Sequence, residues 1–246
     1  MHLREAVRLS PQFRPELHVA LGGWLAEHGK MAEAQKEYAK VVERDPKHPG
    51  ARNNRAIALY RSGRATDAIA ELEALVDEFP GHADAHNNLA AIAVEQGDWP
   101  RAERYARRAL DLDASRAEGW NNLGVAVEEQ GRVGEAEQAY RRALEIDEHY
   151  WQARFNLGVV LARAGEHRAA ADALEKVVAR VPGFPDSHLE LGELYAGPLA
   201  DTDLARNHWN AFVRTAPPRH PKLAEIKARL ADLPRAKPSP RPSAGD

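Results

Sequence analysis

The sequence predicts an all-α protein, a solenoid of stacked helix-turn-helix repeats, and three ladders of residues predict it. Gly29, Gly63, Gly97, Gly131 and Gly165 recur every 34 residues. Five residues after each stands an alanine: Ala34, Ala68, Ala102, Ala136 and Ala170. The segments NNRA from Asn53, NNLA from Asn87, NNLG from Asn121 and FNLG from Phe155 keep the same step. Ladders that share one period mean one supersecondary unit copied along the chain, each copy burying an apolar face that its neighbour cannot bury alone.

Taken in order, residues 1–14 read as half a repeat, because Leu3, Ala6, Leu9 and Phe13 line up with Tyr140, Ala143, Ile146 and Tyr150. They are either an N-terminal capping helix or the second helix of a repeat whose first lies upstream. Complete units follow at 15–48, 49–82, 83–116, 117–150 and 151–184, and Pro46, Pro80 and Pro182 close three of them. In each, a first helix with apolar residues at helical spacing, such as Trp120, Leu123, Gly124 and Val127, ends at the ladder glycine. Glycine there supplies the left-handed backbone that closes a helix. A second helix runs from about the ladder alanine to residues such as Leu144 and Ile146, and the small alanine lets the two axes approach closely.

The sixth unit, 185–218, keeps Leu191, Gly192, Tyr195, Trp209 and Pro217 but loses the turn glycine and gains about one residue between Gly197 and Asp203. Residues 219–234 carry a capping helix: Leu223, Ile226, Leu230 and Leu233 form one stripe, which fits the polar-backed cover an open stack needs. The tail, 235–246, is rich in Pro and Ser without an apolar face, and is expected to be disordered.

Composition removes several function classes. Zero cysteines exclude disulfide scaffolds, cysteine zinc sites, iron–sulfur clusters and thiol nucleophiles. The 34 Lys+Arg against 37 Asp+Glu leave a net charge of -3, which gives no long-range attraction to nucleic acid. No signal-peptide core and no membrane span is legible, so a cytoplasmic location is expected if Met1 is the true start.

W120-x2-L123-G124 with Ala136, Tyr140 and Ala143 resembles the tetratricopeptide repeat. That resemblance implies a right-handed α-solenoid of stacked helix-turn-helix repeats. It also implies that the first helices line a concave groove which holds an extended or helical peptide. By the same resemblance, positions 2, 5, 6, 9, 12 and 13 of each unit face that groove.

Little in the chain points to catalysis. There is no phosphate loop, dinucleotide fingerprint, GxSxG elbow or HExxH helix. His82 and His86 have a metal-like spacing of four, but His82 falls in a turn and His86 on the inner side of the next helix, as structural histidines do. His18, His86 and His188 share the fourth position of their repeats and lie several helix layers of roughly 8–10 Å apart, too far to share an ion. Asp201 and Asp203 precede a helix and fit a capping role. No enzyme, no cofactor and no metal is the expectation.

Binding is the expectation that remains. Asn54, Asn88, Asn122 and Asn156 occupy position six, with Asn53, Asn87 and Asn121 beside the first three at position five. A primary amide both donates and accepts, so a regular row can pair with a peptide backbone whatever its side chains. The row is similar to the ladder of the repeat domains in O-linked N-acetylglucosamine transferases. The other reading is that these amides bridge neighbouring helices. Positions 2, 5, 9, 12 and 13 hold nine acids (Glu16, Glu27, Asp84, Glu95, Glu118, Glu128, Glu129, Asp186, Glu193) and two bases (Arg61, Arg163). Glu27, Glu95, Glu128 and Glu129 lie near helix C-termini, where the dipole disfavours negative charge, so a preference for basic ligands explains them better than local stability.

The second helices carry balancing cations, Arg101, Arg104, Arg107, Arg108, Arg141 and Arg142, which are a solvated face or a dock for an acidic partner. The carboxylate clamp of chaperone-binding relatives is not matched: Asn54-Arg55 resembles part of it, but Val19, Gly23, Asp84 and Asn88 stand at the other positions. The expected function is thus a non-catalytic scaffold that binds a protein or peptide with basic segments through Asn53, Asn54, Asn87, Asn88, Asn121, Asn122, Asn156, Glu95, Glu128 and Glu129. Two alternatives are the recognition domain of a larger, glycosyltransferase-like enzyme and homo-oligomerisation through an imperfectly capped end.

Overall fold

Left-handed backbone marks every ladder glycine, with φ of 73° at Gly29, 83° at Gly63, 72° at Gly97, 81° at Gly131 and 84° at Gly165. After each, the next residue's N–H reaches back over the turn, as from Arg64 to the Leu59 carbonyl at 3.0 Å and from Glu166 to that of Leu161 at 2.9 Å. This six-to-one bond satisfies a carbonyl that the helix end would otherwise orphan. The computed structural model describes residues 2–10 and 12–233, and among these every regular element is helical. The tail expected to be disordered lies outside the described residues.

In chain order the helices are α1 (His2–Leu9), α2 (Pro15–Glu27), α3 (Met31–Arg44), α4 (Pro49–Arg61), α5 (Ala65–Glu78), α6 (Ala83–Gln96) and α7 (Trp99–Leu112). They continue as α8 (Ala117–Glu128), α9 (Val133–Ile146), α10 (Trp151–Arg163), α11 (His167–Arg180), α12 (Pro185–Ala196), α13 (Thr202–Thr215) and α14 (Leu223–Asp232). Second helices start three residues ahead of their ladder alanine, so the alanine sits inside the first turn, fully buried. The chain divides into two compact units, Met1–Glu135 and Ala136–Asp246.

In the first unit α2 packs on α3, α4 on α5 and α6 on α7, and each second helix packs on the next first helix. The first helices also touch one another, α2 with α4, α4 with α6 and α6 with α8, whereas α3 and α5, or α5 and α7, do not. Closer spacing on one side than on the other bends the stack, so the first-helix face of this unit is concave. Leu3 and Val7 of α1 rest on the cluster of Leu21, Leu25, Ala34 and Tyr38, while Leu9 stays exposed. Gly22 keeps α2 against α3: a Cβ there would lie 2.5 Å from Cε1 of buried Tyr38.

In the second unit α10 packs on α11, α11 on α12, and α12 on α13. Gly158 plays the part of Gly22, since its Cβ would lie 2.8 Å from Cγ of Leu174. The extra residue after α12 moves the left-handed position to Ala200, with φ 53°. A non-glycine residue there costs about 1–2 kcal/mol. Two long bonds hold the turn, from the Leu199 N–H to the Leu194 carbonyl at 3.0 Å and from Asp201 to Tyr195 at 2.8 Å. Asp201 then caps α13, its carboxylate accepting from the Leu204 N–H at 2.9 Å. α14 closes over Trp209 and Phe212 with Ile226, which is fully buried.

A carboxylate at the end of the first unit carries a pH dependence. Glu103 accepts from Arg132, from Gln130 at 2.9 Å and from Arg107 at 3.0 Å, and both arginines also reach Glu135. The Arg132 hydrogen bond above all holds the Glu103 carboxyl down at about 2, from an ordinary 4.5. A folded-state value below the unfolded one stabilises above the unfolded value, and that gain disappears as pH falls from 4.5 towards 2. With partly exposed arginines screening it, the gain is about 1–2 kcal/mol. Urea midpoints measured across this range are expected to fall more steeply for the native chain than for Glu103→Gln; equal slopes would remove Glu103 from the account.

Candidate functional site

The asparagine row runs along the concave face of the first unit, and its first bonds are internal. Asn88 Nδ2 donates to Asn53 Oδ1 at 2.8 Å, and Asn122 Nδ2 donates to Asn87 Oδ1 at 3.0 Å. Position five of one repeat thus bonds position six of the next, tying α4 to α6 and α6 to α8. Asn53, Asn121 and Asn122 are buried, which makes their amides part of the helix packing; Asn54, Asn87 and Asn88 remain half-buried. Among the described residues these bonds leave Nδ2 of Asn54 and Asn87 and Oδ1 of Asn88 outside them, so donors and an acceptor alternate at the surface. They border a cavity of about 490 Å³ lined also by Tyr38, Ile57 and Arg61.

The acids are arranged less uniformly than their spacing implies. Tyr60 Oη donates to Glu95 Oε2 at 2.6 Å, and that bond pushes the Tyr60 hydroxyl up to about 12. Glu118 and Glu129 are exposed with no ion pair among the described residues, whereas Glu128 is half-buried and has a partner of its own. Asp84 is paired with Arg116 at 2.6 Å. In the second unit, by itself, Asn156 is half-buried, Asp186 meets His220 at 3.2 Å, and Glu193 meets Arg229 at 2.5 Å. Beyond the two bases at those positions, further basic side chains reach these acids: Arg116 comes from the turn before α8, and His220 and Arg229 come from the segment after α13. None stands at a groove-facing position of a repeat. Burial pushes the carboxyl of Glu190 up from its ordinary value; it stands at position six of its repeat, where the second to fifth repeats carry asparagine.

The histidines serve the fold. His48 and His82 are helix caps, each accepting from a backbone N–H at 3.1 Å, of Ala51 and Ala85 respectively. His86 and His188 reach the carbonyls of Pro80 at 3.1 Å and Pro182 at 3.0 Å, and His18 meets Glu37 at 2.7 Å. Among the described residues no group of His, Asp and Glu is arranged to hold a metal ion. Most of the second-helix arginines have local partners: Arg101 bonds Glu73, Arg107 bonds Glu103 and Glu135, Arg141 meets Glu137, and Arg142 meets Glu145. That stripe is largely neutralised by its own acids. No helix among the described residues is long and apolar enough to cross a membrane.

Tetratricopeptide-repeat profiles match residues 20–83, 55–99 and 87–150, and a second such profile matches 128–188. The chain belongs to the tetratricopeptide-repeat family, an all-α solenoid class of protein-interaction scaffolds. Members of that family bind proteins or peptides and are in general non-catalytic.

Among solved structures, a chain of the APC/C hetero-tetramer Cut9-Hcn1 superposes with a TM-score of 0.82 at 19% identity, over 93% of this chain and 45% of that one. This chain therefore spans under half the length of that relative. PilF of Pseudomonas aeruginosa gives 0.78 at 18% identity, over 87% of this chain and 97% of PilF. YrrB, described as a TPR protein with an unusual peptide-binding site, gives 0.61 at 21% identity over 78% and 98%. Likeness at these identities is likeness of fold. Curated proteins give no significant match.

Proposed function

We propose that the concave face of the first unit binds an extended, basic peptide segment of a protein partner. The observation that carries this reading is the half-spent amide row. Asn54 accepts from Asn53, Asn88 donates to Asn53 and Asn87 accepts from Asn122, so each spends part of its hydrogen-bonding capacity within the row and keeps the rest at the mouth of the cavity. Amides held in place by their neighbours lose little side-chain freedom when a peptide backbone pairs with them, which lowers the cost of binding. Glu95, Glu128 and Glu129 supply the preference for basic side chains. Glu129 is exposed, and Glu95 is oriented by Tyr60.

Anisotropy titrations of labelled lysine-rich, glutamate-rich and glutamine-rich peptides of equal length test this. The lysine-rich peptide is expected to bind about tenfold or more tighter than the glutamine-rich one at low salt, and the difference is expected to shrink at high salt. Equal binding of the lysine-rich and glutamine-rich peptides, or a lysine preference that Glu128→Lys/Glu129→Lys leaves unchanged, would contradict the proposal.

A further inference from the structure

The second unit carries a cluster of cations that the fold leaves without acidic partners. Arg154 on α10 and Lys176 and Arg180 on α11 border a pocket of about 410 Å³, with Trp151 and the Glu148–His149 turn completing its wall. Lys176 and Arg180 stand one turn apart on the same face of α11, are exposed, and make no ion pair among the described residues. Arg154 donates from Nη2 to the Glu148 carbonyl at 2.5 Å, which spends one edge of its guanidinium and fixes its direction. Trp151 is itself held edge-on against Phe184, with ring centres 5.0 Å apart. Many exposed arginines elsewhere pair with local carboxylates, as Arg64 does with Asp67 and Arg142 with Glu145, while others such as Arg104 show no such pair among the described residues.

Comparison between repeats shows what is missing. Three periods earlier, the positions of Arg154 and Arg180 are held by Arg52 and Glu78. There Arg52 Nη1 meets Glu78 Oε2 at 2.7 Å, and Lys47 adds a second cation at 3.3 Å. In the fifth repeat the carboxylate has become a guanidinium, and like charges stand at the two ends of what is elsewhere an ion pair.

We propose that this pocket binds an acidic peptide segment of a protein partner, one of whose carboxylates takes the place that Glu78 fills in the second repeat. The ligand class follows from the geometry copied: the site reproduces a guanidinium–carboxylate pair with the carboxylate deleted and further cations beside it. The N-terminus of α10 brings partial positive charge to one wall and the C-terminus of α11 partial negative charge to the other, so the positive character of the pocket comes from its side chains. Trp151 gives the methylenes of a glutamate side chain an apolar floor, and the volume exceeds that of a single oxyanion, leaving room for the flanking residues.

Arg180→Glu is the informative variant, because it rebuilds internally the pair seen between Arg52 and Glu78 and so keeps the fold. The full chain would be titrated with a labelled glutamate-rich peptide, its glutamine counterpart, a neutral peptide bearing one phosphoserine, and inorganic phosphate. The glutamate peptide is expected to bind about tenfold or more tighter than the glutamine peptide and to weaken with salt. Arg180→Glu is expected to lose that binding about tenfold or more while its melting midpoint stays level or rises. Glutamine and glutamate peptides binding alike, full binding by Arg180→Glu, or binding of only the phosphorylated peptide or phosphate would each overturn the proposal.

Discussion

Trp209→Ala is expected to lower the unfolding free energy by about 3–5 kcal/mol, the range for deleting a fully buried large aromatic side chain. The indole is 1% exposed and packs with Phe212 and Ile226, and partly buried Leu189, Leu223 and Leu230 close around it. Arg229 lies over the ring at 4.2 Å from its centre, so the substitution also removes a cation–π contact. In a repeat stack each element is held by its neighbours, so the loss should be local. Hydrogen exchange of α12, α13 and α14 is expected to accelerate strongly while that of α4 and α6 stays unchanged. A small, uniform change across the chain would show that α14 does not depend on this contact.

Gly192→Ala attacks the same contact from the other side. A Cβ at Gly192 would overlap Cδ1 and Nε1 of Trp209, and the ring has no room to withdraw. Alanine gains about 1 kcal/mol in helix propensity, yet overpacking of this severity costs about 1–3 kcal/mol or more, so the net effect is destabilising. The two substitutions are expected not to add: with the indole gone, the new methyl partly fills the space. Urea unfolding of the singles and the double should therefore give a coupling of about 1 kcal/mol or more, and strict additivity would refute the overlap.

Close packing at the ladder alanines was legible in the sequence because it recurs; the contacts of the glycines facing the second helix emerged with the structure. Gly22, Gly158 and Gly192 stand at one position of their repeats, and the ladder alanines at another, since both are imposed by helix axes that approach at the same place each time. The turn glycines were legible for the same reason, and the sixth turn's loss of its glycine was legible too. That Ala200 takes over the left-handed backbone depends on how one inserted residue is absorbed, which no local rule states.

Side-chain pairing between repeats was harder to read. Asn53–Asn88, Asn87–Asn122 and Tyr60–Glu95 all join residues 35 apart, one more than the period. Alignment in a 34-residue frame places identical positions together and so hides bonds that step by one. The acids counted at groove positions also meet cations from other positions: Arg116, the last residue of the same repeat, pairs with Asp84, and Arg229 in α14 reaches Glu193. The replacement of the Arg52–Glu78 pair by Arg154 and Arg180 was present in the sequence throughout. It acquired meaning only once the structure showed that the first two residues touch.

Exchange of charge between the first unit's concave face and its ligand tests the central claim most directly. Glu128→Lys/Glu129→Lys would be titrated beside the native chain with matched lysine-rich and glutamate-rich peptides at low salt. The account predicts reversal: the protein with Glu128 and Glu129 in place prefers the lysine-rich peptide, and the double variant prefers the glutamate-rich one. Because the pocket in the second unit is itself proposed to take acidic peptide, the Arg180→Glu background is used for both proteins. An unchanged preference for the lysine-rich peptide in the double variant would contradict the account and place basic-peptide binding elsewhere on the molecule.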